Sequence, residues 1–196
     1  MSGLKILGGH ARGIPLDSPP QEITRPLQIL LKRRLFDRYQ DFSEVDFIDL
    51  CSGSGSVGLE ASSRNARQVH LIEKDPTVYK ILQKNIAKLE KCLPHAPHIF
   101  AYNQDALKFL KNFEQEYLKS SPTQQENTIL FFAPPYPLHE LYESVLAMIV
   151  QGWFKGVLWL EGDHEKSPGF ERLSQLCGGH QSLLEHGQSY IIFRVF

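Results

Sequence analysis

The segment Phe47-Ile-Asp-Leu-Cys-Ser-Gly-Ser-Gly-Ser-Val-Gly58 constrains the fold more than any other, because an apolar run ending in Asp49 feeds a Gly-x-Gly-x-x-Gly turn that opens a helix. Gly53 and Gly55 can take backbone angles closed to other residues and let a ligand approach the main chain, and Gly58 lets the helix pack closely on the strand. A ligand site at this turn is therefore expected. The glycines alone do not name the ligand, since nicotinamide-dependent dehydrogenases and S-adenosylmethionine-dependent methyltransferases both place a nucleoside at such a crossing.

The order of elements separates the two. Hydrophobic periodicity predicts strands at 45–50, 68–72, 98–101, 128–132 and 156–161, with helices at 57–64, 76–89, 106–111, 138–150 and 169–176. Residues 112–127 extend the third helix and then read as a polar surface loop. Two further strands, 181–184 and 189–195, flank a tight turn at 185–188. Alternation closing in a hairpin implies an α/β fold with a mostly parallel sheet, one antiparallel strand at its end and helices on both faces. This is the Rossmann-like class I methyltransferase pattern of seven strands; a dehydrogenase would normally carry a second, substrate-binding domain. Ahead of it, apolar pieces at 4–7 and 13–16 read as a glycine-turned hairpin or arm. Thr24 and Pro26 then open a helix with Leu27, Leu30, Leu31, Leu35 and Phe36 on its apolar face and Lys32, Arg33 and Arg34 outward. The expected division is 1–42 for arm and helix and 43–196 for the methyltransferase domain.

At 196 residues and 42% hydrophobic, the chain can bury a sizeable core. It has no apolar run of membrane-spanning length and no apolar stretch of signal-peptide type at its start, so a cytoplasmic location is expected. Cys51, Cys92 and Cys177 are distant from one another and odd in number, which argues against a disulfide framework and suits a reducing compartment. Net charge is −1, but residues 1–40 carry seven bases against three acids, and the remainder is acidic. That asymmetry fits capture of a polyanion by the first forty residues, or an ordinary solvated helix face.

Three further features carry chemistry. Glu73, at the end of the second strand, can accept hydrogen bonds from both hydroxyls of a ribose, while Asp75 fits the cap of the following helix. Asp105 can reach an adenine amine and also cap the next helix. The run Ile129-Leu-Phe-Phe-Ala-Pro-Pro-Tyr136 ends a strand in a rigid turn with free carbonyls, and Tyr136 can lie flat against a planar base. Cys92, His95 and His98 recur at three-residue intervals without a fourth ligand, so they read as connecting residues and no metal is expected. His139 reads as a helix-start surface residue, and Trp153 and Trp159 as core.

The turn resembles the Asp/Asn-Pro-Pro-Tyr signature of methyltransferases acting on exocyclic amines of nucleobases, in which the acid or amide and a proline carbonyl accept hydrogen bonds from the amine. Here the first position is Ala133, which accepts nothing. The arm Leu4-Lys-Ile-Leu-Gly-Gly-His-Ala-Arg-Gly-Ile-Pro-Leu16, Arg25-Pro26, Leu35-Phe36, the Asp49–Ala61 run and Leu71-Ile-Glu73 together resemble the RsmD-type family, bacterial methyltransferases acting on a guanine of 16S ribosomal RNA. The chain departs from that family at Leu27–Leu31, where polar residues are usual, at Ile14 and at Cys51. The resemblance implies S-adenosylmethionine held by Asp49, Cys51, Gly53, Ser54, Gly55, Glu73, Lys74, Asp105 and Ala106. It implies catalysis at Ala133, Pro134, Pro135 and Tyr136, and contact with ribosomal RNA or the small ribosomal subunit through Lys5, Arg12, Arg25, Lys32 and Arg33. It implies neither a membrane nor an oligomer. Two alternatives stay open: an RNA-binding or assembly protein that keeps the pocket without the catalysis, favoured by Ala133 and the apolar 27–31 run, and a methyltransferase for a small molecule or a protein.

Overall fold

A computed structural model describes residues 4–19, 29–93 and 98–196. The glycine turn follows β1 (Asp46–Asp49), a central strand flanked by β2 (Gln68–Glu73) on one side and β4 (Thr128–Phe132) on the other, both parallel to it. With β3 (His98–Asn103), β5 (Val157–Asp163), β6 (Ser182–His186) and β7 (Ser189–Val195), the seven strands run in the order β3-β2-β1-β4-β5-β7-β6. β7 is antiparallel to both its neighbours. It is last in the chain but second from the edge of the sheet, because the tight turn after His186 folds it back between β5 and β6.

Side chains of a strand alternate between the faces of the sheet, and here the alternation sorts the core into two layers. Phe47, Leu71, Phe131 and Trp159 face a cluster covered by α1 (Ile29–Arg38), α2 (Gly58–Ser63) and α3 (Pro76–Glu90). Ile48, Ile72, Leu130 and Leu160 face the opposite cluster, covered by α4 (Ala106–Tyr117), α6 (His139–Ile149) and α7 (Phe170–Leu176). On the first face the series continues, two residues further along each strand, with Asp49, Glu73, Ala133 and Glu161. The same period that builds the core thus lines up four positions at the carboxyl ends of β1, β2, β4 and β5.

Two local expectations change. Residues 122–126 form a further helix, α5 (Pro122–Glu126), rather than loop. Ser121 caps it, Pro122 stands in its first turn, and Gln124 completes a capping box with Ser121; the polar composition hid a signal that was local. In α1, Leu30 is 51% exposed although its apolar character placed it on the buried face, while Leu31, Leu35 and Phe36 are buried as the periodicity requires. Thr24, Pro26 and Leu27 lie outside the described residues.

The N-terminal arm is a hairpin, closed by Ile6 N–H to Ile14 O at 3.0 Å and Leu16 N–H to Leu4 O at 2.9 Å. It docks on α2, where His10 N–H donates to Ser63 O at 2.8 Å and Ala11 N–H to Ser63 Oγ at 2.9 Å. Ile6, Ala11 and Leu16 join the same core layer as Phe47 and Trp159. Behind the arm, the fully buried Asn85 of α3 accepts from Asp17 N–H and donates to Asp17 O and to Ser54 O, so the end of the arm and the glycine turn share one side chain. No helix among the described residues is long and apolar enough to cross a membrane.

Candidate active site

A cavity of about 790 Å³ opens at the carboxyl ends of β1, β2 and β4, against the glycine turn. Asp49, Cys51, Gly53, Ser54, Glu73, Lys74, Asp105 and Ala106 line one part of it, and Ala133, Pro134, Pro135 and Tyr136 line another. The two groups expected from sequence therefore meet in one space. Gly55 is the exception: at φ +82° it turns toward α3, where a Cβ would stand 2.5 Å from Leu82 Cδ1. Gly53, at φ +53°, faces open space.

The turn is held by carboxylates. Gly53 N–H donates to Glu73 Oε2 at 2.9 Å, and Gly58 N–H, in the first turn of α2, donates to Asp49 Oδ2 at 3.0 Å. Asp49 is 1% exposed and its Oδ1 has no hydrogen-bond partner among the described residues. Burial pushes its carboxyl up to about 7, against the Gly58 N–H and with help from the neighbouring charge of Glu73. Glu73 is itself raised by burial, although Asp75 N–H at 2.7 Å and Gly53 N–H favour its ionised form. Asp75 caps α3, accepting from Thr77 and Val78 N–H at 2.7 and 3.0 Å. Asp105 caps α4 through Leu107 N–H and pairs with Lys74 Nζ at 3.2 Å; despite some desolvation, these bonds hold its carboxyl below the ordinary range. Burial beside Glu73 and Asp49 keeps the Cys51 thiol protonated.

The ionisation of Asp49 makes a pH prediction. Its folded value lies above the unfolded one, so its contribution to stability falls as pH rises from the ordinary carboxylate range through about 7 and is flat beyond. Asp49→Asn keeps an acceptor for Gly58 N–H and removes the titration. The variant should therefore gain on the wild type by about 2–3 kcal/mol between pH 5 and pH 7, at about 1.4 kcal/mol per pKa unit. Urea unfolding at pH 5, 6, 7 and 8 measures this, and a constant difference would count against it.

Around the Pro-Pro-Tyr turn, Tyr136 hydroxyl donates to Glu161 Oε1 at 2.8 Å and lies 3.2 Å from Ser189 Oγ. The buried Tyr142 hydroxyl reaches Glu161 O at 3.3 Å and Pro134 O at 3.5 Å. Glu161 lines the cavity and is 6% exposed. Sequence reading missed it. Its signal was its place two residues after Trp159, at the end of an apolar strand and on the face that carries Asp49 and Glu73. Lys166 also lines the cavity, and His139, an exposed residue, contacts its backbone carbonyl through Nε2 at 3.2 Å.

Of the basic residues expected to meet RNA, Lys5, Arg12 and Arg33 are exposed, and Arg25 lies outside the described residues. Lys32 is corrected. It is 1% exposed, with Nζ 3.0 Å from Glu60 Oε2, because α1 turns this residue inward against α2. A cation already neutralised inside the protein is not available to a phosphate. His95 lies outside the described residues, and Cys92 and His98 are exposed.

The family model described as conserved hypothetical protein 95 matches residues 4–178. Ribosomal RNA small subunit methyltransferase D of Escherichia coli K12 is 30% identical over 165 residues, covering 83% of this chain and 76% of its own length. Its counterpart in Haemophilus influenzae is 28% identical over 166 residues, 83% of this chain and 80% of the relative. Among solved structures, a hypothetical protein of Thermus thermophilus superposes with TM-score 0.74 at 23% identity, covering 98% of this chain and 99% of that one. An RNA methyltransferase from Salinibacter ruber, solved with S-adenosyl-L-homocysteine, shares the fold at TM-score 0.55 and 11% identity, covering 87% and 93%.

Proposed function

We infer, from the premise that this chain belongs to the RsmD-type family, the family described as conserved hypothetical protein 95, that it transfers a methyl group from S-adenosylmethionine to the exocyclic amine of a guanine in small-subunit ribosomal RNA. One observation carries the reading: the buried Asp49 at the end of β1 and the half-buried Glu73 at the end of β2 grip the backbone of a glycine turn, in the same cavity as a Pro-Pro-Tyr turn. The complex of the Salinibacter neighbour with S-adenosyl-L-homocysteine supports the choice of cofactor.

The residues present fit that cofactor. Asp49 offers a buried oxygen with no partner among the described residues, and the ends of β1 and β2 present acid to a ligand that is itself cationic. When bound, S-adenosylmethionine supplies an electrophilic methyl group on a sulfonium centre. Glu73 would accept from the ribose hydroxyls, and Asp105, which lines the same cavity, would accept from the adenine amine. The target base leaves its stack and lies against Tyr136, whose hydroxyl is tethered to β5 and β7, while the Pro134 carbonyl accepts from the amine. Positioning next to a reactive methyl group carries the reaction without a metal or a covalent nucleophile. Lys5, Arg12 and Arg33 grip phosphates, so association weakens as salt rises.

Undermethylated small ribosomal subunits incubated with methyl-labelled S-adenosylmethionine should acquire label in N2-methylguanosine on nucleoside analysis. Cofactor binding without any label transfer would sink the enzymatic reading. It would favour the second one, an RNA-binding or assembly protein that keeps the pocket, for which the loss of an acceptor at Ala133 is the specific observation.

A further inference from the structure

The acceptor that the Pro-Pro-Tyr turn lacks has a neighbour of the right chemistry on the next strand. β4 and β5 are parallel, with Phe131 beside Trp159 and Phe132 beside Leu160. Ala133 directly follows β4, and Glu161 stands one residue beyond the last of these pairs on β5. Because side chains alternate, Ala133, two residues after Phe131, and Glu161, two after Trp159, face the same side, and both line the cavity. Glu161 is also tied to the turn itself. Its carboxylate receives the Tyr136 hydroxyl, and its backbone carbonyl receives the Tyr142 hydroxyl that reaches Pro134 O. A methyl group at 133 leaves open the space across which a side chain from an adjacent strand, about 4.8 Å away, can reach.

Resting on the methyltransferase reading above, we propose that Glu161 is a catalytic residue whose carboxylate accepts an N–H of the substrate's planar amine, in place of an acid at position 133. A carboxylate presents about four acceptor directions, so this contact adds to those it already makes, the Tyr136 hydroxyl among them. During transfer the amine nitrogen bonds to the methyl carbon as the carbon–sulfur bond breaks. The bonding pair stays with the sulfur of the donor, and the positive charge passes to nitrogen. Glu161 stabilises that charge, takes the surplus proton and returns it to water at the cavity mouth. The same contact makes the exocyclic amine a recognition element, because a base lacking it forgoes that hydrogen bond inside the cavity.

The test compares the wild type with Glu161→Met, Glu161→Gln and Tyr136→Phe. S-adenosylhomocysteine affinity, measured by calorimetry, reports that each pocket is intact and should change by less than about threefold. With that ligand present, the wild type should bind guanosine monophosphate about tenfold tighter than inosine monophosphate, which lacks the amine. Glu161→Met should abolish the preference, whereas Glu161→Gln and Tyr136→Phe should retain it. In single turnover on undermethylated subunits, Glu161→Met should be slower by about a hundredfold, and Ala133→Asp added to it should recover at least about tenfold. An unchanged preference and rate in Glu161→Met overturns the proposal alone. Equal loss of preference in Tyr136→Phe and Glu161→Met also overturns it, since Glu161 would then only support the tyrosine ring. Absence of methyl transfer by the wild type overturns the methyltransferase reading, and the catalytic role with it.

Discussion

Glu60→Ala is expected to cost about 3–5 kcal/mol of folding stability, because it breaks a buried ionic cluster and leaves its cations unpaired. Glu60 is fully buried on α2, where it meets Lys32 Nζ at 3.0 Å and Arg64 Nη2 at 3.0 Å. It also accepts from Leu7 and Gly8 N–H, both at 2.7 Å. One carboxylate thus joins the arm, α1 and α2, directly behind the glycine turn. Burial lowers the Lys32 ammonium below its ordinary value even with Glu60 beside it. Without Glu60 that group is more easily deprotonated, so the deficit should shrink as pH rises above neutrality. Urea unfolding of Glu60→Ala and of Lys32→Met/Glu60→Leu at pH 7 and pH 9 measures both effects. The double variant, which removes the stranded Lys32 ammonium but leaves Arg64 and the Leu7 and Gly8 N–H groups without the carboxylate, should regain part of the loss. A cost below about 1 kcal/mol for Glu60→Ala would mean that the cluster holds nothing together.

Gly55→Val should weaken S-adenosylhomocysteine binding by on the order of a thousandfold, with two costs combining. A β-branched residue at φ +82° is strained by about 1–2 kcal/mol or more. Its Cβ would also stand 2.5 Å from Leu82 Cδ1 and 3.1 Å from Leu59 Cδ1 in a closed core layer, an overpacking worth about 1–3 kcal/mol. The turn relieves both by moving, which pulls Gly53 N–H from Glu73 and Ser54 O from Asn85. Gly53→Asn is the contrast. Asparagine tolerates positive φ and its Cβ meets nothing, so the fold should survive while the side chain intrudes on the cavity. Calorimetric affinities with circular dichroism as the folding control decide the matter. Equal effects at 53 and 55 would show that ligand contact, not loop shape, is what the second glycine protects.

Much of this was legible in the chain because the signals were local. The strand–glycine–helix junction at Asp49–Gly58, Asp75 and Asp105 as helix caps, and the closing hairpin each follow from a few adjacent residues whose backbone preferences agree. Lys32 and Glu161 were not legible for a common reason. Their environments are made by residues distant in sequence: Glu60, 28 positions beyond Lys32, and Tyr136, 25 positions before Glu161. Amino-acid type alone assigned a lysine to solvent and left a glutamate after an apolar strand unremarked. Gly55 shows the intermediate case, since its need for positive φ was foreseeable, but its facing α3 rather than the cavity was not.

The sequence by itself determined the order and kind of elements, the glycine turn, and the pairing of an acid-bearing nucleoside-type site with a Pro-Pro-Tyr turn. Those depend on periodicity and turn chemistry, which act over a few residues. Only the tertiary structure decided that one sheet face carries Asp49, Glu73, Ala133 and Glu161 together into one cavity, and that Lys32 belongs to a buried ionic cluster rather than to a basic surface. Strand register and helix packing create those juxtapositions, and they are properties of the folded chain rather than of any segment within it.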